Sequence, residues 1–308
     1  MSEIEQPNWI AGVWRRLGAF VIDVIALSVL GYLLGLLIAD FLMQLGPQGR
    51  TVGFAMSVAY FGIQESRFGN GQTLGKRLVG LAVVDAQGQF LSLSKSLFRA
   101  AVFLVPVSLN NAQLPADVGM VWIFLAMMVV WVGLLSFIYL LIFNRTTRQA
   151  PYDLLVRAFV VKTDLDAQPS APVWRGHYGV LAGLCLAVVL GLFLTERYWQ
   201  PPVAHLDQSD QVQQALESEP EVLRTWVTAT PSGQAQATEL SQVSINVLMN
   251  RRNTDDPELA KKLATMAVFA DASVADRESI LIQLMYGYDI VFSAYWRSNS
   301  YYFAPSDL

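Results

Sequence analysis

The stretch "RRLGAFVIDVIALSVLGYLLGLLIAD", residues 15–40, decides the class of this chain. It is an apolar run entered by Arg15 and Arg16 and closed by Asp40, and it is long enough for a bilayer crossing of roughly 20 residues. Asp23 interrupts it. An ionisable group inside a span is expensive and marks a site by default; the plainer alternative is a carboxylate hydrated in the headgroup zone. Asp23 stands seven residues after Arg16, about 10 Å along a helix axis and on the same face. Helical side chains tilt toward the amino terminus, which aims Asp23 back at Arg16. A direct contact would stretch both side chains, so a partner from another span, such as Arg99, is an equal alternative.

Composition supports a membrane class. The chain has 308 residues, 54% hydrophobic and 15% charged, against about 25% charged in soluble domains. The charge deficit is local, as expected when apolar residues gather into spans. A secretory leader would be shorter and would carry a small-residue cleavage site, so the first run reads as an uncleaved span. Cys185 is the single cysteine, and no intrachain disulfide is expected.

Five spans are expected, at 17–39, 51–65, 97–109, 120–143 and 178–195. The second and third are short for a bilayer, and the third holds Arg99 and Pro106. Lys and Arg in short loops set orientation. With the amino terminus inside, the inner loops collect Arg15, Arg16, Arg67, Lys76, Arg77, Lys95, Arg99 and the basic residues from Arg145 to Arg175, while the outer loops offer only Arg50. Everything after the fifth span then lies outside. The expected organisation is a four-span membrane domain (1–165), a cytoplasmic linker with the fifth span (166–200), and an extracytoplasmic domain (201–308). The fold class is an all-α membrane protein with a small cytoplasmic β element and a soluble α-helical domain.

Residues 201–308 hold seven Lys and Arg against fourteen Asp and Glu. "PPVAHLDQSD" (201–210) reads as a linker. Helical patterns are expected over "SDQVQQALESEPEVLRTWV", "SGQAQATELSQVSINVLMNRR", "TDDPELAKKLATMAVFA" and "SVADRESILIQLMYGYDIVFSAYW". Thr254-Asp255-Asp256 before Pro257 is a helix start, and Ser273 reads as another cap. The tail "YWRSNSYYF" is expected to pack on the resulting bundle. In the inner loops, "RLVGLAVVDAQGQFLSLSK" (77–95) and "VRAFVVKTD" (156–164) contain β-formers expected to pair as a small sheet.

"GNGQTLGKRLVG" (69–80) fails as a phosphate-binding loop. That pattern needs glycine five residues before Gly75 and a hydroxyl after Lys76, but Asn70 and Arg77 stand there. A tight turn presenting Gln72, Lys76 and Arg77 to lipid headgroups is the better reading. His177 and His205 fall on opposite sides of the fifth span, and no metal or nucleophile constellation occurs. The expectation is a non-enzyme without cofactor or metal and without nucleic-acid binding. Gly31/Gly35 and Gly179/Gly183 have the spacing of close helix packing. The remaining polar groups gather at the inner ends of the spans: Arg16, Asp23, Glu65, Arg99, Arg148 and Asp153. They form either a structural ion-pair set or an ion- or ligand-binding site open to the cytoplasm.

At these residues the chain resembles the RDD family of bacterial membrane proteins, named for an arginine and two aspartates. "RRLGAFVID" is similar to its first signature, on Arg16 and Asp23. "GQTLGKRLVGLAVVDAQGQFLSLSKSLFRA" resembles its central loop with the arginine beyond, Arg99. "RQAPYDLLVRAFVV" resembles its closing signature, with Asp153. The resemblance covers about residues 9–163. Two positions depart from it: Tyr152 stands where the family often has histidine, and Phe159 where threonine is frequent. The resemblance implies a protein of the bacterial inner membrane that handles a small ion or solute, some members being associated with sodium/proton exchange. In that reading Arg16, Asp23, Glu65, Arg99 and Asp153 form the site. The competing reading is an accessory or assembly protein, in which the polar cluster is structural and residues 201–308 bind an extracytoplasmic partner. The lipid bilayer is the first expected partner. A homo-oligomer is the second, because four spans make a thin transporter.

Overall fold

The structure, a computed structural model, describes residues 7–112, 119–164, 172–198, 209–231 and 240–308. The chain forms two compact units. The first comprises Met1–Leu33, Arg50–Leu194 and Ile290–Ser293, and the second Leu34–Gly49, Thr195–Asp289 and Ala294–Leu308.

In chain order the elements begin with α1 (Val13–Leu45), α2 (Gly49–Gln64), α3 (Leu74–Leu78), β1 (Leu81–Asp85), α4 (Leu93–Leu109) and α5 (Met120–Phe143). They continue with α6 (Pro151–Val156), β2 (Ala158–Lys162) and α7 (Gly176–Tyr198). Among the described residues three helices are long and apolar enough to cross a membrane: α1, α5 and the Gly176–Thr195 part of α7. α1 rises about 50 Å at 1.5 Å per residue, beyond a hydrocarbon core of about 30 Å, and its helical geometry breaks at Ile38. α2 and α4 hold 16 and 17 residues, about 25 Å of rise each. Three of the five expected spans are therefore full-length helices, and the second and third correspond to the shorter α2 and α4.

Helix α4 contains Pro106, which removes a backbone donor and sets its ring against the preceding turn. Gly133 of α5 accommodates it, since a Cβ there would stand 2.9 Å from the Pro106 Cβ. Strands β1 and β2 pair antiparallel from Leu81↔Lys162 to Asp85↔Ala158, as their β-branched sequences lead one to expect. The N-terminal segment joins them: Ala11 N donates to Val160 O at 3.0 Å, and Lys162 N to Trp9 O at 2.9 Å. One face of this sheet packs Leu81, Val83, Ala158 and Val160 on Ala19 of α1. The other packs Val84, Phe159 and Val161 on Trp9 and Ile10.

The second unit contains α8 (Ser209–Glu217), β3 (Val222–Pro231), β4 (Leu240–Met249), α9 (Pro257–Ala270), β5 (Ser279–Asp289) and β6 (Ala294–Phe303). Here the all-α expectation is overturned, because this unit is a four-stranded sheet in the order β3-β4-β5-β6. β4 and β5 run parallel and the outer pairs antiparallel. The physical reason is alternation. Val243, Ile245 and Val247 in β4, and Ile280, Ile282 and Leu284 in β5, are buried, with half-exposed residues between them. That period of two suits a sheet face and no helix face. Helix α9 connects β4 to β5, as a parallel pair requires. The expected helix start holds: Asp256 caps α9 by accepting from Leu259 N at 2.9 Å, with Pro257 in the first turn. The expected cap at Ser273 does not. Asp271 caps a short 3₁₀ turn there, accepting from Ser273 N at 2.9 Å. The tail "YWRSNSYYF" is strand β6 at the sheet edge, not a strap on a bundle. The expected linker at 201–208, with His205, and the 232–239 part of the second expected helix lie outside the described residues.

Candidate functional site

A chain of alternating charges runs through the first unit. Lys76 Nζ lies 2.5 Å from Glu65 Oε1, and Glu65 Oε2 accepts from Arg99. Arg99 donates in turn to Asp153 Oδ1 through Nε at 2.8 Å and Nη2 at 2.7 Å. Asp153 Oδ2 faces Arg16 at 3.7 Å and accepts from Ala150 N at 3.2 Å. Glu65, Arg99 and Asp153 are buried. Buried charges persist when each is paired and hydrogen-bonded. Arg99 meets both carboxylates with a planar fork that suits such pairing.

Arg16 spends most of its donors on backbone carbonyls. Nη1 bonds Arg148 O at 2.7 Å, Nε bonds Ala11 O at 3.2 Å, and Nη2 bonds Val160 O at 3.3 Å. It ties α1 to β2 and to the loop after α5. Arg148, in the left-handed region at φ 51°, donates to Leu141 O and Ile142 O near the end of α5.

Asp23 belongs to neither Arg16 nor Arg99. Its carboxylate is fully buried and accepts three hydrogen bonds: Tyr60 Oη at 2.8 Å, Thr73 Oγ1 at 2.6 Å and the Gly75 amide at 2.8 Å. Thr73 also caps α3, accepting from Lys76 N at 3.2 Å. Gly75 is required by proximity, since a Cβ would stand 2.0 Å from Ala19 O. The Thr73–Gly75 turn thus docks on α1 through Asp23.

The turn residues expected at the headgroups are distributed differently. Lys76 is turned inward onto Glu65, with 12% of its side chain exposed. Its charge is better compensated by a buried carboxylate than by the surface. Gln72 donates to Leu81 O at 2.8 Å and ties the turn to β1. Arg77 is exposed.

Beside the ion pairs lies a cavity of about 430 Å³, within the range of small-molecule sites, roughly 300–1,000 Å³. Arg16, Glu65, Lys76 and Arg99 line it, with Phe103 and Tyr152 among the aromatic walls. Tyr152 stacks under Arg99, whose Cζ is 5.0 Å from the ring centroid, and touches Phe103 and Phe137 edge-on at 5.2 and 5.0 Å. The residue that departs from the resemblance is therefore a wall of the cavity and a cover for its arginine.

Matched against known families, residues 10–157 fit the RDD family. No curated protein matches the chain. Family and apolar helices together make this a membrane protein, with a lipid bilayer as its surroundings. The RDD-family stretch contains every member of the charged chain and the whole Asp23 anchor; α7 and the elements from α8 to β6 lie beyond it. Of the expected site residues, the structure brings Arg16, Glu65, Arg99 and Asp153 into one network and sets Asp23 apart in the anchor. Tyr60, Thr73 and Tyr152 were not expected there as site residues. Thr73 had a signal, a hydroxyl residue opening a helix. Tyr60 had none, an aromatic residue in an apolar helix being ordinary.

Proposed function

We propose that this chain is a bacterial inner-membrane protein that takes a small ion or solute into the charged cavity of its RDD-family unit and moves it across the bilayer. One observation carries this reading: a cavity of about 430 Å³ in contact with Arg16, Glu65, Lys76 and Arg99. Ionisable groups within a membrane protein are costly and tend to mark pathways. An amino terminus inside and residues 201–308 outside are supported by the distribution of Lys and Arg in the loops. No enzymatic step belongs to this reading, and the binding chemistry is electrostatic. Solid-supported membrane electrophysiology on proteoliposomes of the full chain tests it, with gradients of sodium, potassium, protons and chloride. The expected result is charge movement above that of protein-free liposomes, reduced at least tenfold by Arg99→Gln in protein that still elutes as a single folded species. Currents equal to those of empty liposomes under all four gradients would sink the proposal.

A second reading, an accessory protein with an extracytoplasmic partner, is favoured by strand β6. It is a sheet edge exposed along most of its length, with Tyr295, Trp296 and Tyr302 each at least 40% accessible. Exposed edges recruit other strands. Co-purification from membranes with and without residues 205–308 tests it: a partner retained by the full chain and lost on deletion supports this reading, and an identical set of proteins removes it.

A further inference from the structure

The cavity is polar at one end and apolar at the other. Its charged floor holds Lys76, Arg99 and Arg16 against Glu65, with Asp153 behind. Three cations face two carboxylates, so the cluster carries one positive charge in excess. In surroundings of low dielectric, such an excess attracts a single negative charge far more strongly than it would in water. From Arg99 the lining continues along α4 to Val107, eight residues or about 12 Å of helix rise. It continues along α5 from Ile142 to Leu134, the same length. These walls are aliphatic and aromatic.

The mouth of the cavity decides what kind of anion fits. Leu17 of α1 and Ile138 and Ile142 of α5 line the cavity and are also exposed at the protein surface, at 46%, 56% and 44%. Both helices are membrane-span candidates, so a bilayer around them brings lipid up to this opening. A molecule with an acyl chain enters through such an opening with its tail already in hydrocarbon.

We propose that the cavity binds a monoanionic amphiphile, a fatty acid or an anionic phospholipid, with its carboxylate or phosphate against Arg16, Lys76 and Arg99 and its chain along α4 and α5. This rests on the reading of the cavity as a binding site and names the class of solute. Tyr152 and Phe103 form the passage between the two ends, where Arg99 lies against the Tyr152 ring.

Native mass spectrometry of the full chain released from a neutral detergent tests this, with four probes: oleate, dioleoyl phosphatidylglycerol, oleyl alcohol and inorganic phosphate. The expected result is one molecule of oleate or of phosphatidylglycerol per chain, with at least tenfold preference over oleyl alcohol and over phosphate. Oleate alone identifies a free fatty acid as the source, and phosphatidylglycerol alone a membrane lipid; either supports the proposal. Leu134→Trp fills the apolar end without touching a charge, and it should reduce binding at least tenfold at an unchanged melting temperature. Oleyl alcohol binding as well as oleate overturns the proposal, as does phosphate binding as well as either amphiphile, or a Leu134→Trp variant that binds like the native chain. Amphiphile binding without charge movement in proteoliposomes keeps this inference and removes the transport reading. Charge movement without amphiphile binding does the reverse.

Discussion

The Gly75 amide donates a 2.8 Å hydrogen bond to Asp23 Oδ1, joining the first span to a turn 52 residues later in the chain. With Tyr60 and Thr73 as further donors, the Asp23 carboxylate anchors the glycine-rich turn that holds Lys76 beneath Glu65. The anchor and the charged network are thus adjacent parts with separate work, the one holding the turn and the other facing the cavity.

Replacing Asp23 tests the anchor. Asp23→Asn keeps one acceptor oxygen and puts an N–H₂ in place of the other, so at least one of the three donors, Tyr60, Thr73 and the Gly75 amide, loses its acceptor. Leaving such buried donors unpaired costs about 1–3 kcal/mol. The melting temperature in detergent should fall, and trypsin should cut after Lys76 or Arg77 faster than in the native chain. An unchanged cleavage rate would show that the turn is held by something else.

Arg99 bridges two buried carboxylates, so its removal leaves both without their principal partner. Arg99→Met should destabilise the protein by about 3–5 kcal/mol. Lys76→Met should do less, because Glu65 keeps Arg99. Thermal unfolding of the two variants side by side checks the order, and an equal loss would contradict the network as described.

Gly133 leaves room for Pro106. Gly133→Val should overpack the contact between α4 and α5 and destabilise by about 1–3 kcal/mol, whereas Gly179→Val, whose added Cβ meets nothing within 4 Å, should leave the melting temperature alone. A Gly133 variant as stable as the native chain would mean that the two helices approach less closely.

Asp256 supplies a pH test in the second unit. The Leu259 amide, with Arg251 2.6 Å away, holds its carboxyl below the usual carboxylate value. A depressed folded-state pKa gives stability that is present above the unfolded value of about 3.9 and lost as pH falls through the folded value. Asp256→Asn still caps α9 but removes the charge. The native chain should therefore be the more stable at neutral pH, and the difference between the two should begin to shrink below about pH 3.9 and vanish only below the lower folded value. A difference that persists in acid would assign the effect to shape and not to charge.

Class and family were legible in the chain because both are local properties. A run of apolar residues from Leu17 to Ala39 needs no partner to be recognised, and the spacing of Arg16 and Asp23 or the turn "GQTLGK" survives as a string. The pairing of β1 with β2 was also readable, since both are short runs of β-formers between turn signals. Partners of the charged residues were not. Arg16 and Asp23 share a helix face, yet Arg16 bonds carbonyls 132 and 144 positions away, and Asp23 meets donors 37, 50 and 52 positions away. A spacing of seven residues permits a contact; it does not say which neighbouring helix arrives first.

The second unit was decided by tertiary structure for a related reason. Short apolar runs such as "SINVLM" and "ILIQLM" fit a helix or a strand until a partner is known. Val243, Ile245 and Val247 become a sheet face only because β5 runs parallel beside β4 in register, Val243 opposite Ile280 and Val247 opposite Leu284. Sequence alone determined that this chain enters a membrane and carries charges there, because hydrophobic length is a sum over neighbours in the chain. Which charges meet, and whether the last third folds as helices or as a sheet, was settled by contacts between residues far apart in sequence, whose energies exist only once the chain has closed on itself.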